Sequence, residues 1–475
     1  MISNKTTVMK KITKYSLFMI PLLMMNMETN AQKVNAFTVQ QAIDYAKKNS
    51  VQVKNALLDI LIQKQVNRDI TSIALPQING SASITRNIDI PVQTIPNFIA
   101  PATYQVLIDE GVKNGNGQPV TMPSSGFGNL LFPFGNPWNA NAGLTLSQIV
   151  FDGQVFIALK ARNGTITLQE RIAELTEEGI RANVYKVYYQ LVAGKVQIAL
   201  LDANISRLEK LKHDVQVMYD NGFTEKVDID KLSVQLANLS TEKLKANNML
   251  KNGYSGLKLL MGMPIKDSLI LTDTLDDNQV KEGVLEASQF KYSDRKDYQI
   301  AEVTNKLNGL NIRRYKLSQI PTFLLVGGYS KQAQRTEFDI FGKGDWFTSS
   351  YIGLQMKIPI FNGFALQAKK QQARLQLQKT QNQAEALKIS IDREVESSKD
   401  NFIAAIATMD FQKKNMALAE KVYDQTKKKY EIGTGSATEI NTAQLDLKTA
   451  QTNYITALYD AIIAKIDFLK ATGKL

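Results

Sequence analysis

Residues 364–429 contain neither glycine nor proline, an unbroken run of 66 positions counted from 364 through 429. As an α-helix, such a run extends about 100 Å, whereas helices of soluble globular proteins average about 11–12 residues. A compact globule has no room for a rod of that length. The segment that follows carries its apolar residues in a regular stripe. Ile440, Ala443, Leu447, Ala450, Tyr454, Ala457 and Ala461 advance alternately by three and four residues. Ile229, Leu232, Leu236, Leu239, Lys243, Ala246 and Leu250 repeat that stripe, with Lys243 as its one polar member. A third stripe runs through Ile198, Leu201, Ile205, Leu208, Leu211, Val215 and Met218. Seams of this spacing mark coiled-coil packing, and four long helices in two hairpins predict an extended bundle.

The hairpins come in matched halves. Leu144–Gly153 (LTLSQIVFDG) aligns with Leu354–Gly363 (LQMKIPIFNG) at an offset of 210. Tyr219-Asp-Asn-Gly222 aligns with Tyr430-Glu-Ile-Gly433, and Gly262 with Gly473, both at 211. Pro76 pairs with Pro321 at 245, so the first half carries about 35 extra residues upstream of Phe151. The reading is two internal repeats. The first spans 32–264, with a helix, strands at about 76–90 and 138–151, and a helical hairpin over 154–262. A linker over 265–290 follows. The second repeat spans 291–475, with a helix, strands at about 321–335 and 346–361, and a hairpin over 364–472. Seven of the 12 prolines lie between 91 and 137, which is read as a long loop.

The four strands alternate. Ile78, Ala82 and Ile84 share one face of the first, Trp138, Leu144 and Leu146 one of the second, Phe323 and Leu325 one of the third, and Ile352, Leu354 and Met356 one of the fourth. Asn, Ser, Thr, Gln and Lys fill the other faces. Period-two patterning of this length fits a transmembrane barrel strand, although a half-buried soluble sheet reads the same way. No further sheet-forming stretch is expected, and this favours the barrel.

The first 31 residues read as an export leader. Lys5, Lys10, Lys11 and Lys14 precede an apolar run from Tyr15 to Met27, and Thr29-Asn30-Ala31 supplies small residues before Gln32. That run is too short to span a bilayer, which takes about 20 residues as a helix. No later stretch is apolar over 18 residues, so any membrane insertion must use a closed barrel. Four strands cannot close one, because about eight are needed even for a filled interior. Copies of the chain in rotational symmetry must complete the sheet. Two would give eight strands, and three would give twelve with room for a lumen.

Composition excludes much else. The chain has no cysteine and one histidine, His213, so cysteine nucleophiles and Cys-rich zinc sites are excluded, and any histidine-based triad would have to rest on His213 alone. No catalytic grouping, metal site or cofactor motif is found, and the protein is not expected to be an enzyme. The formal charge of +12 is spread along the helices, as at Lys427-Lys428-Lys429, which predicts solvated faces rather than nucleic-acid binding.

With this layout in view, the sequence resembles the TolC-like outer-membrane efflux family. Ile358-Pro-Ile-Phe-Asn-Gly363 and Ile149-Val-Phe-Asp-Gly153 look like its strand-to-helix junctions, and Asp267–Leu275 like its mid-chain linker. Tyr430-Glu-Ile-Gly433-Thr-Gly-Ser-Ala-Thr-Glu-Ile440 resembles its periplasmic hairpin tip. The resemblance implies a mixed α and β membrane protein, a homotrimeric channel-tunnel. A 12-stranded barrel would sit in outer-membrane lipid and continue into an α-helical barrel in the periplasm. It also implies a periplasmic adaptor and an inner-membrane pump, such as a resistance-nodulation-division transporter, as partners. The duct would be passive and carry drugs or other toxic small molecules. Type I protein secretion and heavy-metal efflux fit the same duct. An exported coiled-coil surface protein is the alternative of another class, and the matched strand pairs oppose it. Many relatives carry a lipid on an N-terminal cysteine, and this chain has none.

The resemblance also implies site residues. Gly222, Phe223 and Thr224 in one turn, and Gly433, Thr434 and Ser436 in the other, are candidate adaptor contacts. Phe223 is an aromatic residue in a turn, which calls for something to cover it. Asp228 and Glu439 follow the turns. Glu439 falls on the first gate aspartate of the family, Thr442 on the second, and Gly435 on the gate arginine. An acid in a helix's first turn is also favoured by the macrodipole alone.

Overall fold

A computed structural model describes residues 34–133, 135–277, 280 and 290–475. The export leader expected over 1–31, Phe134 and most of the linker from 278 to 289 lie outside the described residues. The chain divides into two compact units. The first takes residues up to Lys64, Asn163–Leu307 and Gln376–Leu475; the second takes Gln65–Arg162 and Asn308–Leu375.

The second unit is built on a four-stranded antiparallel sheet in the order β2-β5-β7-β8, with β2 at Gln77–Arg86, β5 at Trp138–Phe151, β7 at Thr322–Arg335 and β8 at Phe347–Lys357. Proline sets where the ladders stop. β2 ends at Arg86, opposite Trp138, short of the expected residue 90, because Pro133 and Pro137 precede the partner strand and a prolyl nitrogen has no hydrogen to share. β8 ends at Lys357, opposite Thr322, short of the expected residue 361, because Pro359 and Pro321 lie just beyond. The stretch 91–137, read as a loop, contains structure of its own. β3 (Val92–Pro96) pairs antiparallel with β4 (Asn129–Pro133), and α3 (Ile99–Asp109) lies between them.

The first unit is mostly helical. It contains α1 (Val39–Asn49), α5 (Lys226–Met261) and α8 (Ala437–Ala471), with parts of α2 (Val51–Ser72), α4 (Gly153–Asp220), α6 (Lys296–Leu317) and α7 (Ala365–Glu431). The helix α4 has 68 residues and α7 has 67. The apolar stripes are the buried sides. Leu201, Leu208, Leu211 and Val215 pack with Ile229, Leu232 and Leu239 and with Ile440, Ala443 and Leu447 in one cluster. The polar interruption at Lys243 is met by Asp202 at 2.6 Å. A larger cluster at the other end joins Ile43, Tyr188, Leu257, Met261, Phe402, Met409 and Phe468.

A parallel two-stranded ladder, absent from the sequence expectation, lies beside that cluster. β1 (Val34–Phe37) pairs with β6 (Ser268–Leu271), from Val34 opposite Ser268 to Phe37 opposite Leu271. Four-residue strands are too short to show an alternation, so periodicity could not reveal them. The Tyr188 hydroxyl donates to the Phe37 carbonyl at 2.8 Å, and Thr38 caps α1 through a capping box with Gln41. Further along the linker, Asp277 accepts from the Tyr454 hydroxyl at 2.5 Å and from Lys413.

Candidate functional site: the sheet and the hairpin turns

The pairing register sorts the sheet into two chemically distinct faces. Ile78, Ala82 and Ile84 of β2 stand beside Leu146, Ala142 and Ala140 of β5. Those continue into Gly327, Lys331 and Ala333 of β7, and Ile352 and Leu354 of β8 complete the face. It is apolar and open: Ile78, Leu144, Ile352, Leu354 and Met356 are exposed, Ile352 by 76%. The opposite face carries Asn79, Ser81 and Ser83 beside Thr145, Gly143 and Asn141, then Gly328, Ser330 and Gln332, and on β8 Ser349 flanked by the exposed Phe347 and Tyr351. A soluble sheet buries its greasy face; this one leaves most of it open, with Ala140 and Ala333 covered at one end, and keeps its more polar side opposite, the arrangement of a wall between lipid and water. The 14 residues of β5 rise about 45 Å, or roughly 35 Å at a barrel-like tilt, enough to cross a bilayer's hydrocarbon. Both edges of the sheet, β2 and β8, have an unpaired side. Among the described residues, no helix is long and apolar enough to cross a membrane.

The two helical hairpins reverse through turns with the same stop and different restarts. After α4, Gly222 takes a φ of 82°, and after α7, Gly433 takes 77°, the left-handed conformation that only glycine adopts at little cost. The amide of Phe223 donates to the Met218 carbonyl at 2.9 Å, and that of Thr434 to the Lys429 carbonyl at 2.9 Å. These are the closing bonds of helix ends with a left-handed cap. Phe223 stands out from the first turn with 84% of its surface exposed. In the second turn the exposed apolar residue is Ile432, just before the glycine, at 74%. Sequence reasoning singled out Phe223 and missed Ile432, although the signal, an aliphatic beside the turn glycine, is of the same kind.

The acids after the turns have local partners. Asp228 accepts from the Thr224 hydroxyl at 2.9 Å and lies 3.4 Å from the Lys231 ammonium. Glu439 forms a capping box with Ser436: its amide donates to the Ser436 hydroxyl at 3.2 Å, and its carboxylate accepts from the Ser436 amide at 3.4 Å. The Thr442 hydroxyl donates to the Thr438 carbonyl at 3.0 Å. Among the described residues no hydrogen bond joins Asp228, Glu439 and Thr442 to one another. Within one chain they are helix-start residues.

A buried polar cluster was also missed. Asn204 and Gln444 are almost wholly buried between α4 and α8, and the Gln444 amide donates to the Asn204 oxygen at 2.6 Å. The Asn204 amide donates to Gln451 at 3.2 Å and to the Leu200 carbonyl at 2.7 Å, and Arg207 donates to the Asn204 oxygen at 2.8 Å. Its signal was a pair of amides set among the apolar stripes. A hydrogen-bonded polar cluster in such a seam fixes register, because any slip leaves these groups unpaired. No group of acids or histidines suited to hold a metal occurs among the described residues.

These features have counterparts among known proteins. Residues 308–474 match the family model described as outer membrane efflux protein. Over this segment the chain is similar to outer-membrane efflux proteins. Outer membrane protein TolC of Vibrio cholerae serotype O1 is 19% identical over 340 residues, covering 70% of this chain and 77% of its own length. Outer membrane efflux protein BepC of Brucella suis is 20% identical over 341 residues, covering 70% and 72%. The TolC-like fold extends over almost the whole chain: the structure of CusC superposes with a TM-score of 0.70 at 16% identity, covering 94% of this chain and 95% of that one. The Campylobacter jejuni CmeC outer membrane channel gives 0.69 at 15% identity, covering 92% and 85%. The printed descriptions of these relatives are of outer membrane proteins and channels.

Proposed function

We propose that the chain is the outer-membrane channel of a tripartite efflux system. Three copies close a 12-stranded barrel and a helical tunnel, and the assembly serves as a passive exit duct for small toxic molecules delivered by a periplasmic adaptor and an inner-membrane pump. The observation that carries this reading is the sheet itself. It has one largely open apolar face, one more polar face and two unpaired edges, and an unpaired edge inside lipid costs several kcal/mol per group. Pairing β8 of one copy with β2 of the next removes both edges. The named relatives, an efflux protein and outer-membrane channels, support the same reading.

Phe223 and Ile432, with Gly222, Thr224, Gly433, Thr434 and Ser436 around them, are the adaptor contacts in this proposal. Asp228, Glu439 and Thr442 line the narrow periplasmic end. A ring of three Glu439 side chains attracts cations, as charged constrictions do. Purified protein reconstituted in a planar bilayer tests the proposal. The expected result is a detergent-dependent trimer that opens ion-conducting pores, with Glu439→Gln lowering cation preference. A water-soluble monomer with no conductance overturns the channel reading, and unchanged selectivity in the variant overturns the gate assignment alone.

A further inference from the structure

The apolar face of the sheet is not apolar to its end. Arg86 pairs in register with Trp138, and Trp138 with Arg335, so these three form one row across β2, β5 and β7 on the greasy face. Ala82, Ala142 and Lys331 form a row on the same face, two rows nearer the middle. This end of the sheet lies opposite the one from which α4 and α7 depart, since β5 runs from Trp138 to Phe151 and α4 begins at Gly153.

The rim is built rather than frayed. The Arg86 guanidinium lies over the Trp138 ring, 5.4 Å from its centre, and Phe338 packs against the same indole at 4.7 Å. The loop between β7 and β8 folds back so that Ile340 is buried with Ala140 and Ala333, beside Trp138. Arg335 is held through the carbonyls of Gln334 at 2.9 Å and Asp345 at 3.0 Å. That loop carries Glu337, Asp339 and Asp345, and Asp89 follows β2. Among the described residues, none of these carboxylates lies within 4.0 Å of the charged nitrogens of Arg86, Lys331 or Arg335.

We propose that Arg86 and Arg335, in one row with Trp138, and Lys331, two rows nearer the middle, bind the phosphate groups of an acidic glycolipid in the outer leaflet. The inference rests on the channel reading, which turns the apolar face to lipid. A cation on a lipid-facing strand is costly at the bilayer midplane and costs close to nothing at the interface, so these residues belong at headgroup level. There, fixed anions repay them: guanidinium groups grip phosphate oxygens in pairs, and a guanidinium stacked on an indole keeps its edge free to do so. Cargo in the lumen cannot be the ligand, because the lumen sees the opposite face of the same strands.

The test uses the detergent-purified oligomer and native mass spectrometry with three probes: diphosphorylated lipid A, its dephosphorylated form, and phosphatidylglycerol. The expected result is retention of diphosphorylated lipid A at least about tenfold above the other two. That preference should fall several-fold in R86Q and in K331Q, and vanish in the double variant. Neither residue holds the loop, so the variants should keep their oligomeric state and conductance. Equal retention of the three probes by the wild-type protein, or an unchanged preference in a conducting double variant, overturns the proposal while leaving the channel intact. Should the wild-type protein form no oligomer and no pore, the channel reading falls first and the lipid site with it.

Discussion

The helical unit has two ends, and they are held by different means. At one end Arg295, only 8% exposed, donates to Asp297 at 2.8 Å, to Glu394 of α7 at 2.9 Å and to the Ala471 carbonyl at 2.9 Å. One guanidinium thereby ties the segment before α6 to α7 and to the last turn of α8. The β1–β6 ladder lies in the same unit and joins residues more than 230 positions apart. At the other end the polar contacts of the turn residues are local, apart from the Tyr430 hydroxyl donating to the Met218 sulfur at 3.2 Å. Thr224 reaches Asp228, Ser436 reaches Glu439, and Thr434 reaches Lys429, none across more than five positions. An end stitched by distant residues opens only when much of the unit opens; an end stitched by neighbours can open by itself. The turns have the more local polar contacts, above the buried cluster of Val215, Ile229, Tyr430 and Ile440, and the Arg295 end is the anchor.

The largest effect should come from breaking the anchor. Arg295→Ala leaves Asp297 half-buried and unpaired and removes the cap of α8, at a cost of about 3 kcal/mol. Thermal unfolding should show it, and hydrogen exchange should rise at both ends of the unit. A loss confined to residues near 295 would break the comparison. The second effect is acid sensitivity. Burial alone would raise the Asp297 carboxyl, but hydrogen bonding and the charge of Arg295 outweigh it and hold it below its ordinary value. Stabilisation from the pair is therefore complete above about pH 4 and is lost as pH falls below that. In R295A that acid-labile component should be missing.

At the turns the changes are smaller and local. Ser436→Ala removes the capping box and should cost about 1 kcal/mol. Glu225, the residue capping α5, makes no side-chain cap hydrogen bond, so Glu225→Ala should change stability by a few tenths of a kcal/mol at most. Equal losses at the two turns would show that their restarts do not differ as the hydrogen bonds indicate. The smallest shift is expected at Glu178. Its carboxyl is pushed up by burial, against the pull of Arg295 and Lys470. The sign is opposite to Asp297: its favourable contribution exists at low pH and is lost as pH rises through the raised value. Glu178→Gln should raise the melting temperature at neutral pH by about 1 °C and leave it unchanged in acid.

Much of this architecture is legible in the residue order. The glycine-free run over 364–429 predicts α7, and the three-and-four spacing identifies the buried sides of α4, α5 and α8, because both follow from helix geometry alone. The alternation over 138–151 and 322–335 shows because each of those strands is long and two-faced. The short pieces escape: β1 and β6 have too few residues to display a period, and β3, β4 and α3 sit in a proline-rich stretch that reads as loop. Among the candidate residues, the turn glycines and Phe223 stand out by type. The partners of Asp228 and Glu439 do not, because a carboxylate in a capping box and one in a constriction look alike in sequence. Asn204 and Gln444 escaped for a related reason: an amide among apolar neighbours acquires meaning only when its partner, some 240 positions away, is known.

The parallel pairing of β1 with β6 bears on the order in which the molecule is made. A ribosome, and then an export channel, delivers Val34–Phe37 early, yet Ser268–Leu271 arrives more than two hundred residues later. Closing so wide a gap costs entropy that no nearby contact offsets. The amino-terminal strand cannot form this ladder until both arms of the first hairpin have been made, so this pairing closes late.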